Sequence, residues 1–556
     1  MTSISVRSSH LLLALAVLLF PNCVIADEPE VVAHYPLIQD TLDHSGNGHH
    51  GMNQEVKFGT APNGVRSAEF NGTSSSIQLP DAVIPDSGDF TVAVRVFIES
   101  PTSDVPGDIF NYYDSLSRRG VQLGIHSAHG VTSSQSQLRT VEFGLDNGST
   151  PGEWTDHGRL GNAVLIYSMA VHDGNLFAGT CEAGVEESGR VFRFDGKTWH
   201  DLGAPDRCNS VSSLAVYNGE LYAGVSRYRL AGSSLAESDN PNLGGRVYRW
   251  EAPNKWIDCG QLPNTEAING MTVFNGKLYA SSMYKPAGFY RYDGGKKWTD
   301  CGTPDGKRVE ALGVYNGHIY ATGYDEGAVY RYDGKAWESL GTLPDATQTY
   351  GFAVFQGDLY VSEWPNARVY RFGGLKNGQP EWNLAGHLGD ERESMPLLVY
   401  NGQMYAGSLP TGEVYRFDGG QDWKKIARLD MTPDVKYRRV WSMAVFQGKL
   451  FAGTLPAGRV HSVSIGHVAT HDKTLSPGWH HLAAVRNQGK LNLYVDGQLS
   501  STSSSFASDL NISNKAPARI GFGTRDYFRG RMTDLRIYHA PLSSEAISKL
   551  TVSEAE

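Results

Sequence analysis

Met271-Thr-Val-Phe-Asn-Gly276, followed by Lys277-Leu-Tyr-Ala280, decides how this chain is read. Two apolar runs flank an Asn-Gly pair, the signature of two β-strands joined by a type I′ hairpin, whose central residues need positive φ. The pattern returns at Met169-Ala-Val-His-Asp-Gly174, Leu214-Ala-Val-Tyr-Asn-Gly219, Leu312-Gly-Val-Tyr-Asn-Gly317, Phe352-Ala-Val-Phe-Gln-Gly357, Leu397-Leu-Val-Tyr-Asn-Gly402 and Met443-Ala-Val-Phe-Gln-Gly448. A third strand follows the hairpins, as in Val191-Phe-Arg-Phe-Asp-Gly196 and Val329-Tyr-Arg-Tyr-Asp-Gly334, and then a strand bearing Trp199, Trp256, Trp298, Trp337, Trp382 or Trp423. Four short strands in about 45 residues make a propeller blade. The repeats therefore predict a seven-bladed β-propeller over residues 151–465.

The last repeat ends at Arg459-Val-His461 with no tryptophan strand behind it. The missing piece stands before the first repeat, as Glu153-Trp-Thr-Asp-His-Gly158, a near match to Lys297-Trp-Thr-Asp-Cys-Gly302. A ring closed by its N-terminal strand pairs both open sheet edges and brings its two ends together. The repeats resemble Kelch-type and related propellers in blade length and strand order, without their paired glycines. The Asp-Gly-x-x-Trp turns are similar to the Asp-box of sialidases but lack one residue between Asp and Gly. In that family the box is a structural turn remote from the active site.

The flanks read as two parts of one other domain. Before the repeats stand Asp43-His-Ser-Gly-Asn-Gly-His-His-Gly51, Ala68-Glu-Phe-Asn-Gly72 and the alternating Phe90-Thr-Val-Ala-Val-Arg-Val-Phe-Ile98. After them come Gly478-Trp-His-His-Leu-Ala-Ala-Val485, Leu493-Tyr-Val-Asp-Gly497 and Gly530-Arg-Met-Thr-Asp-Leu-Arg-Ile-Tyr538. These motifs, in this order, resemble the laminin-G/concanavalin-A-like family. The resemblance implies a jelly-roll sandwich split into 27–150 and 466–556, with the propeller inserted at the hairpin tip after Gly148. It also implies a structural calcium near the rim, with Asp43, Asn47 and Asp534 as oxygen ligands by motif position. His480 and His481 belong to the family's Trp-His-His motif and are expected to pack rather than to bind metal.

The fold class is thus all-β, and 556 residues exceed what one core can bury. Residues 1–26 read as a secretory signal peptide: Arg7, an apolar Leu11–Phe20, then Val24 and Ala26 before Asp27. A lipoprotein would use Cys23, but Pro21 and Asn22 before it suit that poorly. No later segment is apolar enough to form a transmembrane helix, so a secreted, cell-surface or periplasmic protein is expected. A formal charge of −10 without a basic run speaks against nucleic acid as a partner. Cys181 and Cys208 fall in loops around the first blade and are expected to form a disulfide, whereas Cys259 and Cys301 occupy equivalent outer-strand positions as thiols.

Loops between second and third strands and between blades share one face of the propeller, and they are variable and rich in aromatic and charged residues. They carry Tyr228, Tyr284, Tyr324, Asp325, Glu363, Trp364, Arg438 and Arg439. A variable position just before each innermost strand should ring the axial opening: Tyr167, Ser212, Asn269, Glu310, Tyr350, Met395 and Trp441. From these, Tyr167, Asn269, Glu310, Tyr350, Trp441, Tyr284, Tyr324 and Trp364 are the ligand-binding candidates, because aromatic faces beside hydrogen-bonding groups suit a sugar or peptide. No catalytic residue is assigned: the Glu-x-Asp-x-Glu of glucanases on the jelly-roll fold is absent, and Glu391-Arg-Glu393 in a propeller loop does not replace it. The Val-Tyr-Arg arginines recur once per blade, as structure does. The preferred reading is a non-enzymatic binding protein for extracellular glycans or proteins, using the jelly roll and the variable propeller face. The alternative is a polysaccharide-active hydrolase or lyase with its site in the axial pocket.

Overall fold

The computed structural model describes residues 1–2, 29–80, 83–101, 104–284 and 286–551. The expected signal at 1–26, beyond its first two residues, lies outside the described residues. The regular structure of the described chain is all β-strand except for the 3-10 turns Leu230–Ser233 and Pro304–Gly306 and the helix Ser544–Leu550.

The repeats form a β-propeller arrangement. A representative sheet runs Ile268–Phe274, Lys277–Ser282, Phe289–Gly294, Lys297–Asp300, each strand antiparallel to the next. Burial falls from the first strand, buried throughout, to the last, mostly exposed. That gradient explains why the first strand reads as a continuous apolar and small-residue run and the last as polar around one tryptophan. Five such four-stranded sheets stand apart, and the strands from Leu165–His172 to Lys255–Gln261 merge into one eight-stranded sheet through the single pairing Cys181–Ser210. The hairpins have the left-handed pair that type I′ turns require, with φ 48° and 66° at Asn275-Gly276. Outer-strand tryptophans tie neighbours together: the Trp298 indole donates to the Cys259 carbonyl at 2.9 Å and the Trp382 indole to that of Leu340 at 2.9 Å. Thr155–Arg159 completes the sheet of the last repeat, with Thr155 opposite Ser462 and Asp156 opposite His461.

The flanking segments build two further sheets, and each mixes strands from both ends of the chain. In one, Phe90–Ile98 lies between Gly478–Asn487 and Arg529–Tyr538. In the other, Gln137–Asn147 lies between Arg119–Ala128 and His467–His471. Phe90, Val94, Phe143, Leu482 and Leu535 share the core between them.

The sandwich docks on the hairpin face of the propeller. Glu142 accepts the Asn401 N–H at 3.1 Å and the Arg525 guanidinium at 2.9 Å, and Arg525 also reaches the Val399 carbonyl. The Gly174 and Gln356 amides donate to the Asp472 and Thr524 carbonyls. The hairpins, short and uniform in sequence, thus serve as a docking surface as well as turns. From this seam the loop 129–136, between Arg119–Ala128 and Gln137–Asn147, runs into the propeller's axial channel, where its residues are buried.

Candidate functional site

The ring of side chains around the axis has a specific backbone cause. In seven innermost strands the ladder slips at one place: between Ile166 and Ser168, Val211 and Ser213, Ile268 and Met271, Val309 and Leu312, Thr349 and Phe352, Ser394 and Leu397, Val440 and Ser442. A bulge bends its strand and re-aims a side chain. The residues skipped include Tyr167, Ser212, Asn269, Glu310, Tyr350, Met395 and Trp441. All eight ligand-binding candidates, Tyr167, Asn269, Glu310, Tyr350, Trp441, Tyr284, Tyr324 and Trp364, line one axial cavity of about 480 Å³, as does Met395. Ser212 does not line it, because its hydroxyl donates to the Ile268 carbonyl at 2.6 Å.

The walls are aromatic and closely packed. Tyr167 meets Trp441 at 5.0 Å and Tyr228 at 5.2 Å between ring centroids, both edge-on. Toward the mouth the Arg229 guanidinium lies 4.3 Å over the Tyr284 ring, and Arg308 lies 4.1 Å over Tyr324. Each lining arginine is already paired: Arg229 with Glu266, Arg308 with Asp325 at 2.6 Å, and Arg439 with Glu393 at 3.0 Å. The last pair is buried, and Arg439 also donates to the Ser233 hydroxyl at 2.7 Å. Burial opposes the Arg439 charge, but Glu393 outweighs it and keeps the guanidinium protonated.

Glu310 behaves differently. Burial pushes its carboxyl up to about 8, against the pull of Arg308. Near neutral pH it therefore carries a proton and can donate a hydrogen bond. The Tyr350 hydroxyl donates to Gln348, which completes a polar stripe on the wall.

Glu393, Arg308 and Gln348 are lining residues outside the sequence candidates. Each stands two positions before a ring residue, and along a strand that spacing returns to the same side. The period-two neighbours of Met395, Glu310 and Tyr350 were the signal that could have found them. Thr132, which forms part of the floor, comes from the sandwich, and no propeller pattern points to it. Of the other loop residues, Glu363 accepts the Arg368 amide at 2.8 Å and Arg438 donates to the Thr432 carbonyl at 2.6 Å. Neither lines the cavity.

Two expected features take a different local form in the structure. Cys181 and Cys208 are free thiols, like Cys259 and Cys301. The Cys181 thiol points at the Glu182 carbonyl and the Cys208 thiol at that of Ser210. The expected calcium ligands are engaged by the chain itself. Both Asp43 oxygens accept bonds from the chain, from the amides of His34, Ser45 and His49 and from the Ser45 hydroxyl. Burial raises the Asp43 pKa, but these donors outweigh it and hold the carboxyl below its ordinary value. The Asn47 amide donates to the Val32 carbonyl, while one Asp534 oxygen is shared by His34 and the Arg536 guanidinium, which opposes a cation. Among the described residues no group of three or more His, Cys, Asp or Glu is arranged to hold a metal. Among them, too, no helix is long and apolar enough to cross a membrane.

Comparison with known proteins gives one family match, and it is to an all-β family. The family described as the concanavalin A-like lectin/glucanases superfamily matches residues 442–548. No curated protein matches the sequence. Among solved structures, a catalytically inactive virginiamycin B lyase from Staphylococcus aureus with quinupristin has 13% identity and a TM-score of 0.44, covering 56% of this chain and 99% of its own. YCF48 bound to D1 peptide has 15% identity and a TM-score of 0.38, covering 56% and 95%. A nidogen/laminin complex has 14% identity and a TM-score of 0.29, covering 38% and 82%.

Proposed function

We propose that this chain is an exported, non-enzymatic binding protein that recognises a neutral extracellular glycan in the axial cavity of a seven-bladed propeller. The propeller would be residues 151–465, carried within a jelly roll formed by 27–150 and 466–556. The observation that carries the reading is the convergence of Tyr167, Tyr350 and Trp441 with Asn269 and protonated Glu310 on one cavity. Aromatic faces stack on the apolar faces of sugar rings, while amide and carboxyl groups meet the hydroxyls. Because every lining arginine is paired with a carboxylate, an ionised ligand would have to displace one of these partners. A glycan array probed with the purified protein and its Tyr350→Ala and Trp441→Ala variants tests this. Array binding that both variants weaken at least about tenfold supports the reading. Binding that neither variant changes places the ligand elsewhere and overturns it.

One observation favours a second reading, a polysaccharide hydrolase or lyase. A buried carboxyl that keeps its proton near neutrality is what a general acid requires, and Glu310 is such a group. Glu310→Gln separates the two readings. A binding site that uses the carboxyl as a neutral donor keeps most of its affinity, whereas an enzyme loses reducing-sugar or unsaturated-product release while still binding.

A further inference from the structure

We propose that the axial cavity takes the free end of a glycan chain and rejects internal segments, because a loop of the sandwich closes its far side. This rests on the glycan reading above.

A propeller is an open ring, and a channel through it would let a polymer thread. Here the loop 129–136 occupies the channel and is tied to innermost strands on several sides. The Gly130 carbonyl accepts the Phe352 amide at 2.9 Å. Thr132 donates to the Trp441 carbonyl at 2.7 Å. Ser133 donates to the Ser212 carbonyl at 2.8 Å, and its own carbonyl accepts the Ser213 hydroxyl at 2.6 Å. The Gln135 amide reaches Leu214, and the Ser136 carbonyl accepts the Val171 amide. The His129 ring bonds to the Thr272 hydroxyl at 2.7 Å.

These bonds fall where the strands need them. A bulge leaves backbone groups outside the ladder, and a buried polar group without a partner is costly. Ser212 and Trp441 are bulge residues, and Phe352 follows a bulge. The loop supplies the partners that the bulges remove. The device that turns side chains into the cavity therefore also holds the plug in the channel. Thr132 is the one lining residue from the sandwich loop, and the others stand at strand starts and in loops of the variable face, which directs the opening to that face. An internal segment of a linear chain needs two exits, whereas a chain end needs one.

The test is calorimetric titration with graded linear gluco-, manno- and galacto-oligosaccharides and with cyclic forms of the same sugars. The expected result is an affinity that stops rising once the chain outgrows the cavity, with cyclic forms weaker by at least about tenfold. Thr132→Trp, which raises the floor, should weaken the linear forms and move the plateau to shorter chains. Cyclic forms that bind as well as linear ones, or affinity that climbs through the whole series, overturn the inference and leave the glycan reading standing. If no neutral oligosaccharide binds, the glycan reading fails and this inference falls with it. If Thr132→Trp does not fold, the linear-against-cyclic comparison on the unaltered protein decides alone.

Discussion

The Thr132 hydroxyl donates to the Trp441 carbonyl across 309 residues of chain, joining a sandwich loop to the residue that forms one wall of the propeller's cavity. Trp441 also packs on Tyr167 and Tyr228. The placement of this aromatic wall thus depends on a side chain from the other unit.

Thr132→Val keeps the shape and removes the donor, leaving a buried carbonyl without its partner. Denaturant unfolding should show a loss of about 1–3 kcal/mol, and Thr132→Ser should recover most of it. Equal stability for Thr132→Val and the unaltered protein would mean that the plug is held by packing alone.

Glu393 and Arg439 form a buried pair, their side chains 1% and 7% exposed. Glu393→Gln strands the guanidinium in the wall and should cost about 3–5 kcal/mol. The double variant Glu393→Leu/Arg439→Met should be closer to the unaltered protein than either single change. Additive losses in that double-mutant cycle would contradict the pairing.

Stability should fall as pH rises, through Asp526 at the seam between the two units. Burial pushes this carboxyl up to about 8, with Asp108 and Asp358 adding to the shift. The folded state therefore holds the proton more tightly than the unfolded chain, whose value is about 3.9. The contribution is complete below that unfolded value, declines as pH rises, and is gone once pH has passed through about 8, a loss of a few kcal/mol at most. Asp526→Asn should flatten this slope in a pH series of thermal melts. An unchanged slope would locate the dependence in other groups.

Thiol titration under denaturing, non-reducing conditions should find Cys181, Cys208, Cys259 and Cys301 all reactive. In the native protein Cys301, which is partly exposed, should react first. If Cys181 and Cys208 withstand labelling until a reductant is added, they are bridged.

How much of this was legible in the sequence follows the range of each interaction. The hairpin strands and their turns are local, so Asn275-Gly276 announces its own geometry. Glu153–Gly158 is legible as a closing strand because it repeats Lys297–Gly302 almost residue for residue. The ring positions can be placed because each precedes a recognisable apolar run, although the bulges that turn them inward leave no mark of their own. Thr132 is not legible, because 129–136 reads as an ordinary polar loop and its partners lie on distant strands. Glu393 reads as a loop residue beside Glu391, since its pairing with Arg439 spans a whole repeat. Cys181 and Cys208 do lie on paired segments, through the Cys181–Ser210 contact. What the sequence could not display was the rotamer that turns each sulfur toward a carbonyl.

Phe90–Ile98 is flanked on both edges by strands from the far end of the chain, Gly478–Asn487 and Arg529–Tyr538. During synthesis this apolar ribbon must wait, with two unsatisfied edges, while nearly four hundred residues follow it off the ribosome. Unpaired strand edges of this kind invite intermolecular association. Nascent chains stalled before Gly478 should therefore need a holding chaperone, and truncations from the C-terminus should aggregate even when every repeat is intact.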